Sequence, residues 1–427
     1  MRYLIIGFST AAVSAIKSIR KVDPKNEIVV FSEEDRLYSR PLISYYLAGK
    51  IKDDNLNFVD EKFEEQYNVK VFYSTKVISV DVKNKVVKTE KNEVVKYDKL
   101  LICSGSVPII PQIKGIRDNI EGIFTFTKLN DAKNLLKYIY ENKIKNAVIL
   151  GGGLIGIKVA EGLLARGIKF KIVDIAERLL SNTFDEIASK YLEEKLEENG
   201  CQFVKCNTIV ELGIKNKKLV YVKLKDGSKI TTNLLIIAVG VRPNVDFIKD
   251  SGIKINKGIL VDEYMRTNIE NIFAAGDVVE SKNSILDENS VIPIWPVAAE
   301  QGRIAGLNMA GEAEVYNGLY PMNSIEILDI PSISFGITNV NPQDDKYKII
   351  VRQEKKVYKK IVLRSGKVVG VILVGNIERA GIFKLLIDKK VDVSNFEDEL
   401  LKDNFGFLVL PKDFRKHLVM MTEEVPM

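Results

Sequence analysis

A chain of 427 residues, 46% hydrophobic and 28% charged, is too long for one hydrophobic core and has the composition of an ordinary soluble protein of two or three domains. Its 63 basic and 57 acidic residues leave a net charge of +6, too mild to argue for nucleic acid though suited to an acidic protein partner. It contains no run of 18 apolar residues, no signal peptide and no low-complexity tract, so no membrane role is expected and the expected compartment is the cytoplasm.

The first predicted element is a strand, Tyr3 to Ile6, which runs into Gly7-Phe8-Ser9-Thr10-Ala11-Ala12 and a helix to about Arg20. This is a G-x-G-x-x-G phosphate turn with two departures, Ser9 at the second glycine position and Ala12 at the third, and both are small enough for close approach to a pyrophosphate. The next strand, Glu27 to Phe31, ends in Ser32-Glu33-Glu34, which makes Glu33, with Glu34 the alternative, the expected acceptor for ribose hydroxyls.

Residues 36 to 49 read Arg-Leu-Tyr-Ser-Arg-Pro-Leu-Ile-Ser-Tyr-Tyr-Leu-Ala-Gly. This resembles the Y-S-R-P-L-x-x-Y-Y-L-A-G segment of flavin-dependent rubredoxin reductases and of the flavoprotein part of nitrite reductase large subunits, within the wider pyridine nucleotide-disulfide oxidoreductase family. The resemblance implies a glutathione-reductase-like α/β fold with two Rossmann-like domains, the first holding FAD and the second NAD(H), and places Arg40 and Pro41 against FAD. Disulfide reductases, coenzyme A disulfide reductases and NADH oxidases of the wider family carry a redox cysteine near this point. Here Ile43 and Ser44 stand instead, so those chemistries lose their nucleophile.

Tyr97 to Pro108, Tyr-Asp-Lys-Leu-Leu-Ile-Cys-Ser-Gly-Ser-Val-Pro, is similar to the family's Y-D-x-L-L-I-A-T-G-S-x-P, which closes the FAD domain. Cys103, Ser104 and Gly105 are therefore FAD candidates, the first two in place of alanine and threonine. A second phosphate turn, this time complete, follows the strand Ala147 to Leu150 as Gly151, Gly153 and Gly156. The helix expected from Leu154 to Ala165 turns its free N–H groups and positive end toward phosphates, with Leu154 and Ile155 in its first turn, and Gly167 ends it.

The strand after it, Ile168 to Val173, delivers Asp174, 23 residues past Gly151, where a carboxylate accepts both ribose hydroxyls and favours NADH over NADPH. Arg178 alone softens that preference, and reads more simply as a surface arginine. Glu161 matches the glutamate of the family's A-E segment, which the resemblance places near the nicotinamide as a catalytic residue; read by itself it is a helix acid. Leu234 to Asn244 is the matching return crossover, with Val239 and Gly240 beside NAD.

Thr267 to Asp277 matches the family's T-x-x-x-x-[I/V]-[F/Y]-A-x-G-D, in which a strand delivers Gly276 and Asp277 to phosphate and ribityl hydroxyl. Pro293 to Gly311 resembles the W-x-x-A-x-x-Q-G-x-x-A-G-x-N-M-x-G helix of rubredoxin and nitrite reductases, which sets Trp295 near the flavin ring, or else as a core or interface aromatic. Past Gly311 short strands are expected over 323 to 374, with a hairpin at Arg364 to Lys367 between strands Val357 to Leu363 and Val368 to Val374, then helices near Gly381 to Ile387 and Glu397 to Leu401. The expected domains are 1–112 with 241–315 for FAD, 113–240 for NAD, and a small α+β interface domain over 316–427.

From Lys346 to Lys367 nine Lys or Arg meet one acid, Glu354, which makes either a docking face for a small acidic protein or the solvated side of a hairpin. Cys103 reads as a core residue, Cys201 and Cys206 should face opposite sides, and the lone His417 has no partner, so neither a thiol redox centre nor a metal site is expected. The expected function is a FAD-dependent NADH oxidoreductase, monomer or homodimer, passing electrons to a rubredoxin or ferredoxin-type protein with direction open. The rival readings are an NADH oxidase or small-molecule reductase, and an NADH-flavin redox-sensing binding protein.

Overall fold

The computed structural model describes all residues except 118, 287, 328, 356, 413, 414 and 416–427, so His417 lies outside the described residues. Strand β1 (Arg2–Ile6) carries aliphatic side chains without alternation, the pattern of a parallel strand covered on both faces, and it is buried from Tyr3 on. The chain turns at Gly7 into helix α1 (Thr10–Val22) and returns as β2 (Glu27–Phe31), which pairs parallel to β1 from Arg2↔Glu27 to Ile6↔Phe31. A short helix α2 (Ile43–Ala48) ends at Gly49 in the left-handed region, and β3 (Val69–Phe72) then adds to β2. An antiparallel ladder over residues 77–96 leads to β4 (Lys99–Ile102), on the other side of β1.

The same plan then repeats. Strand β5 (Ile123–Thr125) and helix α3 (Leu129–Glu141) lead into β6 (Asn146–Leu150), α4 (Leu154–Ala165) and β7 (Lys169–Val173), with β6 and β7 parallel. Helix α4 packs closely on α2, for a Cβ at Gly162 would lie 2.6 Å from the Leu47 side chain. Helix α5 (Glu186–Glu198) and an antiparallel meander over 209–231 precede β8 (Leu235–Ile237), which inserts between β6 and β5. Strand β9 (Ile272–Ala274) returns to the first sheet, whose order is β9-β4-β1-β2-β3; in the second sheet these strands run β7-β6-β8-β5.

Helix α6 (Trp295–Ala310) lies backbone to backbone on α1. A Cβ at Gly302 or Gly306 would fall 2.1 Å or 2.4 Å from the carbonyl oxygens of Ala11 and Ala15, so these glycines set the helix contact distance. Beyond it, β10 (Met322–Ile327), β11 (Ile330–Gly336), β12 (Lys348–Glu354), β13 (Val357–Arg364) and β14 (Lys367–Val374) form an antiparallel sheet in the order β10-β11-β14-β13-β12, followed by α7 (Ala380–Asp388). The α/β architecture with two Rossmann-like folds and a C-terminal sheet domain is thus the one read from the sequence. Of the two expected terminal helices, the second is only a 3-10 turn, Glu397–Glu399.

The chain divides into two compact units, 1–175 with 204–320, and 176–203 with 321–427. Both nucleotide-type loops belong to the first. In the second, Asp185 caps α5 through the Ala188 N–H at 3.1 Å and accepts from Tyr358 Oη at 2.6 Å and from Lys360 Nζ at 3.0 Å, which ties α5 to β13. This arrangement changes the meaning of the basic run. Lys359 and Lys360, on opposite faces of β13, are both buried, the former donating to the carbonyls of Leu401 and Lys402. Lys348 pairs with Glu397, and Arg352 with Glu354 and Asp403, so part of the run's charge is answered within the unit, by one acid of the run itself and by others distant in sequence.

Candidate functional site

The site begins where β1 stops. Gly7 has φ +97, its N–H donates to the Phe31 carbonyl at 2.8 Å, and a Cβ there would stand 2.2 Å from the Cys103 carbonyl oxygen, so no side chain fits. Ser9 is the N-cap of α1 in extended conformation and makes no side-chain cap bond, which leaves the first-turn N–H groups and the Ser9 hydroxyl for another acceptor. Over this turn opens a cavity of about 380 Å³. Gly7, Ser9, Thr10 and Ala11 line its floor, Glu33 and Glu34 its β2 end, and Arg40, Pro41, Cys103, Ser104 and Gly105 its walls. Gly276, Asp277 and Trp295 close it. Of the flavin candidates only Ala12 is outside the lining, fully buried on the α1 side that packs in the core.

Several side chains of the quoted motifs, among them Gln301 and Ser106, which carry no role in the sequence reading, hold this lining in place. Gln301, buried on α6, accepts from the Gly276 N–H at 2.8 Å and donates to Ser281 Oγ at 2.9 Å, fixing the loop that carries Asp277. It stands in the quoted Q-G segment, so the signal was there without its meaning. Ser104 Oγ donates to the Asn244 carbonyl at 2.9 Å and Ser106 Oγ to Asp277 at 3.1 Å. Burial pushes the Asp277 carboxyl above the ordinary aspartate range, against the opposing pulls of Ser106 and Arg40. Burial also pushes the Cys103 thiol far up, so it stays protonated and unreactive near neutral pH. Trp295 meets Phe58 edge to face with ring centres 4.7 Å apart.

The second loop repeats the first in its essentials. Gly151 has φ +113, donates to the Val173 carbonyl at 2.8 Å, and a Cβ on it would lie 2.3 Å from the Ala238 carbonyl oxygen. Gly156 could not carry a Cβ either, which would meet the Gly151 carbonyl oxygen at 1.9 Å, whereas a Cβ at Gly153 would meet nothing within 4 Å. That open space over the start of α4, at Leu154, is where a phosphate can approach. Asp174 accepts from the Gly152 N–H at the end of β7, which ties the acid to the loop, and Val239 and Gly240 follow β8, with the Gly240 carbonyl accepting from Ile109 N–H at 3.0 Å. Ile155, one of the NAD candidates, lies on the wall of the first cavity, so α4 brings the two loops onto one space. Glu161 is outside that lining and bonds Lys158 at 2.8 Å on its own helix. Arg178 donates to the carbonyls of Ser181 and Phe184 at 3.4 Å.

Residues 1–302 match the model of the pyridine nucleotide-disulphide oxidoreductases, and residues 321–391 match that of the rubredoxin NAD+ reductase C-terminal domain. The chain belongs to the pyridine nucleotide-disulphide oxidoreductase family. Among its relatives is an NADH oxidase of Methanocaldococcus jannaschii, 33% identical over 93% of this chain and 94% of that protein. An NADH-rubredoxin oxidoreductase of Clostridium acetobutylicum is 32% identical over 83% of this chain and 89% of its own length. A solved NAD-dependent persulfide reductase from A. fulgidus superposes with a TM-score of 0.87 at 23% identity, covering 99% of this chain and 84% of that one, a likeness of fold.

This member of the family is an NAD(P)H-dependent flavoprotein oxidoreductase, and the family's cofactors are FAD and NADH. The donor set of the first cavity suits FAD: carboxylates for a ribose diol, a helix start and Arg40 for a pyrophosphate, Asp277 for a polyol hydroxyl, and Pro41, Ile155 and Trp295 for a flat apolar ring. A Cβ at Gly105, φ +66, would project into empty space within that lining. Among the described residues no helix is long and apolar enough to cross a membrane, and no group of His, Cys, Asp and Glu could hold a metal ion.

Proposed function

We propose that this chain oxidises NADH through FAD held in the first cavity and passes the electrons out to a small iron protein of rubredoxin or ferredoxin type. FAD, when bound, supplies the centre that takes a hydride from the nicotinamide and releases single electrons. The protein's part is placement. The Gly151–Gly156 loop and the start of α4 hold the pyrophosphate of NADH, Asp174 its ribose, and Ile155 and Trp295 keep water from the space where the two rings meet.

The observation that carries the acceptor assignment is the state of the thiols. Ser44 and Ile43 stand where a redox cysteine would, and Cys103, the cysteine on the cavity wall, is buried and held protonated. With no thiol to receive them, electrons leave the chain. A small iron protein is supported by the match to the rubredoxin NAD+ reductase C-terminal domain and by the Clostridium relative. The Methanocaldococcus relative's name favours a second reading, direct reduction of oxygen. The basic run of β12 to β14 lends the docking argument little, since Lys359 and Lys360 point inward and Lys348 and Arg352 are paired.

Anaerobic stopped-flow mixing with NADH, and separately NADPH, followed by oxidised rubredoxin, ferredoxin or air, tests the proposal. Fast bleaching by NADH and fast reoxidation by one iron protein is the expected result. Reoxidation by oxygen alone would support the oxidase reading, and a flavin that is reduced once and stays reduced would support a sensor.

A further inference from the structure

The flavin cavity is walled partly by a segment from the other nucleotide fold. Phe126, Thr127 and Lys128, between β5 and α3, line it together with the two glutamates at the end of β2. Three interactions fasten this strap to the first fold. Arg40 donates to the Thr127 carbonyl at 3.0 Å, the Leu129 N–H donates to Tyr38 Oη at 3.0 Å, and Lys128 Nζ lies 3.0 Å from Glu33 and 3.9 Å from Glu34. The strap is shaped from its own side by Asp131, the N3 acid of α3, whose carboxylate accepts from the N–H groups of Thr127 at 2.7 Å and Lys128 at 3.1 Å.

Two adjacent carboxylates on one cavity wall repel, and the Lys128 ammonium, 3.0 Å from Glu33 and 3.9 Å from Glu34, offsets that repulsion where Glu34 is only 12% exposed. Burial works against ionisation of Glu33, but the hydrogen bond and charge of Lys128, with help from Lys76 and Arg40, outweigh it and hold the carboxyl below its ordinary range. Arg40 already engages Glu34 at 3.3 Å, which leaves Glu33, 45% exposed at the cavity, as the carboxylate with an open side.

We infer that Lys128 is a positioning residue for FAD: its ammonium, 3.0 Å from Glu33, keeps that carboxylate aimed at the adenosine ribose, and with Thr127 and Leu129 it makes a strap by which the second nucleotide fold retains the cofactor of the first. This rests on the assignment of the cavity to FAD. No motif of the sequence marks Lys128, because its role depends on two glutamates about 95 residues earlier.

The test uses the full chain, stripped of FAD and titrated with it while flavin fluorescence is followed. Lys128→Gln keeps most of the side-chain length and removes the charge; the loss of one charge-assisted contact should weaken FAD binding about tenfold. Lys128→Arg should restore it to within about threefold. In a Glu33→Gln background the same Lys128→Gln change should cost much less, since a residue acting through a partner loses its effect with the partner. Equal FAD affinity in wild type and Lys128→Gln overturns the inference, as does a loss just as large without Glu33. Should Lys128→Gln fail to fold, the wild-type FAD release rate read against salt decides: steep acceleration supports the charge clasp and a flat profile overturns it. A wild-type chain that takes up no FAD overturns instead the reading of the cavity itself.

Discussion

The two phosphate loops of this chain have the same backbone and different letters. At the first position both have glycine, with φ +97 at Gly7 and +113 at Gly151, and in both a Cβ would lie within 2.3 Å of a carbonyl oxygen from the crossing strand. At the second, Ser9 and Gly153 both adopt extended conformations open to any residue, so what the position demands is clearance above it. At the third, Ala12 is buried without conflict, while Gly156 sits against the Gly151 carbonyl and admits nothing larger. One motif therefore contains three separate requirements. The first is backbone geometry, the second is room for the ligand, and the third is the local distance between helix and strand.

The largest effects should come at the first position. Gly7→Ala and Gly151→Ala each combine left-handed strain with a carbonyl clash, at a cost of about 1–3 kcal/mol for the strain alone. Gly7→Ala should yield protein without flavin, while Gly151→Ala keeps its flavin and loses on the order of a hundredfold in its rate of reduction by NADH. Absorbance of the purified variants and stopped-flow bleaching check this, and the opposite pattern would reverse the assignment of the two loops. Next come the third positions. Gly156→Ala should destabilise by about 1–3 kcal/mol through overpacking, whereas Ala12→Gly should cost only about 1 kcal/mol of helix propensity, both read by thermal melts of the apo chain. At the second position Gly153→Val should leave the melt unchanged but raise the KM for NADH about tenfold, because a branched side chain, larger than the serine the first loop carries there, occupies the space a phosphate needs.

The motif letters made most of this frame legible. The strand, turn and helix of each loop, the strand that delivers Asp277, and the helix from Trp295 announce themselves because each rests on local chemistry: an apolar run, a glycine with a fixed duty, or an acid at a strand end. What the sequence hides is pairing over distance. Lys348, Arg352 and Lys360 look like parts of an exposed cationic face until Glu397, Asp403 and Asp185 are folded against them. Lys128 looks like a surface lysine until β2 brings Glu33 beside it. Glu161 matches the family's glutamate in sequence, and in the structure it bonds Lys158 one turn away on its own helix.

The two folds differ again at the edge strands of their sheets. Strand β9, beyond β4 at the edge of the first sheet, delivers a carboxylate, Asp277, while its counterpart β5, beyond β8 in the second sheet, delivers Phe126, Thr127 and Lys128, so only the first carries an acid at this point. Because burial raises the Asp277 pKa in the folded chain, folding favours its protonated form. The sign follows: below the ordinary aspartate range the group is neutral folded or unfolded and costs nothing, and stability of the apo chain falls as pH rises through that range toward the raised folded value. Asp277→Asn should therefore raise the melting temperature of the apo chain slightly at neutral pH, with the gain vanishing in acid, while FAD binding weakens. A melt that Asp277→Asn lowers at neutral pH would mean that the carboxylate is held for the fold through Ser106, and that the first loop tolerates a buried charge for a reason other than its cofactor.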